Sequence, residues 1–119
     1  MISTSALIDI GGSAVKVTIR DGHANIIKSA ETSIQASING KNVTLVPDSL
    51  FEVVVATMNK CVGLFDSSLN VENLYISTLR QGFCLVDSNK EITSIYLNSD
   101  SSGEYAKNDI SIYGADKIY

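Results

Sequence analysis

The residues Asp9-Ile10-Gly11-Gly12-Ser13-Ala14-Val15-Lys16 combine the types that a Mg-nucleotide phosphate tail requires. Two glycines lack Cβ atoms, so backbone N–H groups can come close enough to cradle phosphate oxygens. Ser13 adds a hydroxyl donor, Lys16 a compact positive charge, and Asp9 a hard oxygen ligand for Mg²⁺, direct or through water. An ordinary β-hairpin with a Gly-Gly turn would show the same local pattern. The position of Asp9 in an otherwise apolar strand favours the functional reading, because a carboxylate there calls for a partner or a metal.

The elements that must hold these residues can be read from alternation and turn signals. Segments near 5–10, 14–20 and 25–31 read as strands, with Asp21-Gly22 as a two-residue hairpin turn between the last two. Residues 33–45 alternate weakly around Asn39-Gly40 and suggest a small extra hairpin. Ser49-Leu50-Phe51-Glu52 has the form of a capping box, and Pro47 supports a helix start. Leu50, Val53, Val54, Met58, Cys61 and Val62 then follow helical spacing and mark its buried face, with Gly63 as the stop. A loop over 66–70 leads to strands at 74–78, 83–86 and 92–97, with Asp87-Ser88-Asn89-Lys90 as a turn. A loop follows at 99–103, and a short helix is expected over 103–112.

Composition sets the outer bounds. A chain of 119 residues is one domain at most, and 45% hydrophobic with 18% charged residues is ordinary for a globular protein. A net charge of −4 with scattered lysines and arginines argues against a nucleic-acid or anionic-membrane surface. Cys61 and Cys84 both lie among apolar residues and read as buried reduced thiols. One histidine, His23, and no C-x-x-C spacing argue against zinc; His23 reads as a solvated turn residue. Nothing resembles a signal peptide or a membrane span, which fits a cytoplasmic protein.

The motif at 9–16 resembles the first phosphate motif of the actin-like ATPase superfamily, which joins sugar kinases, Hsp70 and actin. It has neither Walker P-loop spacing nor the G-x-G-x-x-G dinucleotide turn. A second stretch, Leu74-Tyr75-Ile76-Ser77-Thr78-Leu79-Arg80-Gln81-Gly82-Phe83-Cys84-Leu85-Val86-Asp87, continues through Glu91-Ile92-Thr93-Ser94-Ile95 to Asp100. It resembles the FGGY carbohydrate kinases: a strand ending in Ile-Ser, a polar loop closing on Gly, a strand ending in Asp, then a further Asp. The tail Gly114-Ala115-Asp116-Lys117-Ile118-Tyr119 is similar to rhamnulokinase-type and xylulokinase-type members.

The resemblance implies an α/β fold: part of an actin-like, ribonuclease H-like domain with a mixed sheet and a flanking helix. It implies ATP and Mg²⁺ as cofactors, with Asp9 at the metal and Gly11, Gly12, Ser13 and Lys16 at the phosphates. Arg80, Gln81 and Asp100 would contact the sugar or polyol through paired hydrogen bonds to adjacent hydroxyls. The sequence departs from the family pattern at Asn98 and Ser102, where an aromatic or Arg and an Arg are common, and at Arg80-Gln81, where Met-His or a comparable pair is usual. Residues 1–119 would be the N-terminal part of the first kinase domain, with the catalytic Asp and second domain absent. Such a piece is not expected to phosphorylate sugar alone, and its uncovered sheet edge suggests a homodimer. An actin-like ATP-binding scaffold and a non-catalytic binding domain are the alternatives.

Overall fold

Strictly alternating apolar residues at Val15, Val17 and Ile19 give the chain its central strand, and all three are completely buried. The computed structural model describes residues 2–63 and 67–106. Strand β1 (Ile2–Ile10) runs antiparallel to β2 (Ala14–Asp21), and β2 antiparallel to β3 (Ile26–Ser33). Strand β6 (Leu69–Ser77) joins the free side of β1 in parallel, so the sheet is mixed, in the order β3-β2-β1-β6. A parallel return needs a crossover. Helix α1 (Pro47–Val62) lies within that crossover.

The helix covers one face of this sheet. Ala6, Ile8, Val15, Val17, Ile19 and Cys61 form the core, with Leu50, Val53, Val54, Met58 and Val62 packed partly buried against it. Each fully buried Val or Ile contributes about 1.5–3 kcal/mol of transfer free energy. Thr57 is fully buried as well, a polar residue that helical spacing of apolar positions does not mark. Its hydroxyl lies 2.7 Å from the Val53 carbonyl and 2.8 Å from the Thr32 hydroxyl, so it donates to one and accepts from the other. Lys60 donates to Thr32 at 3.2 Å, which completes the chain.

A second, antiparallel sheet stands beside the first in the order β4-β5-β8-β7. It is built from β4 (Ser37–Asn39), β5 (Asn42–Leu45), β7 (Phe83–Val86) and β8 (Ile92–Tyr96), and a 3₁₀ turn follows at Ser102–Ala106. The expected hairpin within 33–45 is its β4–β5 pair.

Several local expectations are corrected. The capping box does not form: Val46 is the N-cap, without a side-chain bond, and Pro47 opens the helix. Proline's fixed φ places the start three residues earlier, and Asp48 complements the helix dipole in the first turn. Asp21-Gly22 is not a two-residue turn. The Asp21 carboxylate accepts the N–H groups of His23 and Asn25 and the Asn25 amide, stabilising a wider loop in which Ala24 takes φ 66°. Strand β6 starts at Leu69, not near 74, because it pairs with β1 from Ile2 onward through a bulge beside Thr4 and Ser5. Cys84 is exposed, whereas Cys61 is buried as expected. Residues 107–112 of the expected short helix and the 114–119 tail lie outside the described residues.

Gly63 ends α1 as anticipated, at φ 75°, a conformation that side chains with a Cβ rarely adopt. Its N–H donates to the Asn59 carbonyl at 2.9 Å.

Candidate functional site

Pairing between strands converts four distant residues into one row. Asp9 faces Lys16 across β1–β2, Lys16 faces Glu31 across β2–β3, and Asp9 faces Ser77 across β1–β6. Strand alternation puts this row on the face away from α1, since Ile8, Val15 and Val17 on the other face pack in the core. Asp9 is therefore exposed and near the strand end, not buried among apolar residues. Its role does not follow from desolvation; what singles it out is the cation opposite and the turn beyond.

That turn spans residues 11–14, with the Gly11 N–H donating to the Ala14 carbonyl at 2.9 Å. The Ile34 N–H donates to the Ser13 carbonyl at 2.8 Å, so the end of β3 fixes the turn in place. Neither Gly11 nor Gly12 needs a positive φ. Their lack of side chains matters in space instead. A Cβ on Gly11 would stand 3.3 Å from the Ala14 carbonyl oxygen, while one on Gly12 would point into open space. Gly12 and Ser13 are both exposed, so an anion can approach the backbone there. Asp9, Gly11, Gly12, Ser13 and Lys16 are thus brought together at one end of β1 and β2.

The end of β6 leads on from this row to the next candidates. β6 delivers Ser77 beside Asp9, and the chain runs on through Thr78 and Leu79 to a tight turn at Arg80 and Gln81. Gln81 takes φ 55°, sparsely populated for a residue with a side chain. Gly82 is confined: a Cβ there would come within 3.2 Å of Leu79 Cβ and 3.3 Å of the Tyr96 carbonyl oxygen. The turn that exposes Arg80 and Gln81 is therefore pressed against the end of β8.

Asp100 lies four residues beyond that end. One carboxylate oxygen accepts the Val43 N–H at 2.6 Å; the other accepts the Ser102 N–H at 3.0 Å and the Ser102 hydroxyl. The Ser102 side-chain bond, then the Val43 N–H, hold its carboxyl below the usual carboxylate range. Asp100 thus ties the loop after β8 to β5, and Ser102 occupies a defined position as its partner. The Lys41–Glu104 ion pair closes the same corner.

Between these parts lies a cavity of about 280 Å³ lined by Ile10, Leu50, Leu79, Phe83, Cys84 and Ile95, among others. It joins the end of β1 to the Arg80 turn. Glu31 and Ser77 belong to the site only through pairing register, so no local motif marks them. Among the described residues no group of three His, Cys, Asp or Glu is gathered to hold a metal. A magnesium ion at Asp9 would take its other ligands from phosphate oxygens and water, as that ion commonly does.

No protein-family profile and no curated protein sequence matches the chain. Solved structures do. The chain superposes on a gluconate kinase from Lactobacillus acidophilus with TM-score 0.80 at 16% identity, covering 100% of this chain and 24% of that one. A ligand-bound xylulose kinase from the same organism gives 0.80 at 16% identity, with 99% and 24% covered. A Plasmodium falciparum glycerol kinase with ADP gives 0.81 at 17% identity, with 98% and 24% covered. The chain thus has the mixed α/β fold of the N-terminal part of the sugar-kinase actin-like architecture and spans about a quarter of those chains. No helix among the described residues is long and apolar enough to cross a membrane.

Proposed function

We propose that this chain is the phosphate-turn and acceptor-loop portion of an ATP-dependent carbohydrate kinase of the FGGY type, which transfers the γ-phosphate of ATP to a hydroxyl of a sugar or polyol. The observation that carries the proposal is the Asp9–Lys16 pair beside the open turn at Gly12, on a fold shared with gluconate, xylulose and glycerol kinases.

Phosphoryl transfer asks a protein mainly for alignment and for neutralisation of phosphate charge. Lys16 and the N–H groups of the turn would hold phosphate oxygens, and Asp9 would hold Mg²⁺, which spreads the charge developing on the transferred group. Arg80 and Gln81, projected from a rigid turn, would read acceptor hydroxyls. Asp100, whose oxygens already accept three donors, would contribute its remaining lone pair and hold the loop beside them. The catalytic base and the adenosine pocket are assigned to portions of the kinase fold beyond this quarter, so the chain by itself is proposed to be inactive and to hold Mg-ATP weakly. Two free thiols, Cys61 and Cys84, suit a reducing cytoplasm.

The test is an NMR titration of the ¹⁵N-labelled chain with Mg-ATP and with magnesium tripolyphosphate. The amide signals of Gly11, Gly12 and Ser13 are expected to move with a dissociation constant weaker than micromolar, and Lys16→Met to displace that titration to about tenfold higher ligand concentration. Shifts confined to other residues would overturn the assignment. A second reading, an actin-like scaffold or homodimer, draws on β6 at the sheet edge, where Leu74 and Ile76 are 52% and 57% exposed. ATP-dependent light scattering tests for filaments and sedimentation for dimers.

A further inference from the structure

Phe83 and Tyr96 are paired across β7 and β8, and their rings stack with centroids 5.0 Å apart and planes within 10°. Phe83 nevertheless remains 57% exposed, so one ring of the pair is open to solvent. The pair is set directly at the Arg80 turn: Phe83 follows Gly82, and the Tyr96 carbonyl oxygen, with Leu79, confines Gly82. Phe83 also borders the cavity shared with Leu79 and Ile10. An open aromatic face, an exposed arginine and amide, and a fixed carboxylate thus occur at one end of the second sheet.

A sugar or polyol has two chemistries. Its hydroxyls need directional donors and acceptors, and its C–H groups present weakly positive hydrogens that pack on the electron-rich face of an aromatic ring. The proposed acceptor residues supply the first and leave the second without a surface. We propose that Phe83, backed by Tyr96, is the surface on which the C–H face of the acceptor packs, making it a specificity-determining residue of that site. This rests on the acceptor reading of Arg80 and Gln81. The stack fixes the orientation of Phe83, so little side-chain freedom is lost when a ligand covers it. An acceptor with an uninterrupted C–H face gains more from such a surface than one bearing hydroxyls on both sides.

Saturation-transfer NMR with glycerol, D-xylulose and D-gluconate as separate probes tests the proposal on the chain as it stands. Saturation of aromatic protons should pass to the C–H protons of at least one polyol. Phe83→Leu, which keeps an apolar strand residue, should remove that transfer and weaken binding at least fivefold with the melting temperature unchanged within a few degrees. Leu85→Ala, an exposed change two residues along β7, should leave both intact. If Arg80→Met abolishes binding while Phe83→Leu binds as the parent does, the acceptor reading stands and the aromatic surface is overturned. If none of the three polyols receives saturation, both are overturned.

Discussion

Asp9 and Lys16 stand directly opposite one another on β1 and β2, two residues before and two after the turn at 11–14. Opposite charges at such cross-strand positions contribute about 0.2–1 kcal/mol to a sheet, too little to account for a fold whose core lies on the other face. The pair is better placed for an anion and its metal. Replacing Lys16 by Met is therefore expected to shift the denaturation midpoint only slightly while weakening tripolyphosphate binding by about tenfold, ~1.4 kcal/mol. Chemical denaturation and calorimetric titration of the same samples separate the two effects.

Gly12 offers a finer test. A Cβ there meets nothing within 4 Å, so Gly12→Ala should melt at or slightly above the parent temperature. The same methyl group would stand in the path of an approaching phosphate, and magnesium tripolyphosphate affinity should fall. Unaltered affinity would place the anion elsewhere.

Acid stability should depend on Asp100. Its carboxyl is held below the ordinary value of 3.8, chiefly by Ser102 and next by Val43. The folded state thus binds this proton less readily than the unfolded state. The stabilisation is complete above the ordinary value and is lost as pH falls through the depressed one. Asp100→Asn should flatten the decline in melting temperature below about pH 4 relative to the parent protein. An unchanged slope would show that other carboxylates govern acid unfolding.

The two cysteines should differ in reactivity. Cys84 is exposed on β7, whereas Cys61 is buried against β2 and burial pushes its thiol up. The thiolate is the reactive form. One thiol per chain should react rapidly with a disulfide reagent under native conditions and a second only in denaturant; two rapid equivalents would mean that α1 opens readily.

Filling the core gives a magnitude. Ile19 is fully buried between β2's neighbours and the helix, so Ile19→Ala should cost about 2–5 kcal/mol. That is a large share of the stability of any small domain. Urea midpoints read it directly, and a loss below 1 kcal/mol would mean that the core relaxes around the missing atoms.

The sequence by itself determined the strand–turn–strand around residues 9–16, the helix face from Leu50 to Val62, and its stop at Gly63. Each rests on interactions within a few residues: alternation, a 3.6-residue period, or a backbone angle that favours glycine. The motif resemblance also named Asp9 and Lys16, which lie at one end of the first sheet, and Arg80 and Asp100, which flank one end of the second. Tertiary structure alone decided the rest. The row from Ser77 through Asp9 and Lys16 to Glu31 exists only through register between three strand pairs, and register depends on which faces are buried. The Asp100 bonds to Val43 and the Phe83–Tyr96 stack likewise join segments that no local pattern relates. Even the failed capping box at Ser49 has this character. Local chemistry placed the cap at Ser49, and the structure instead begins the helix at Pro47, with Leu50 and Val53 set against the core.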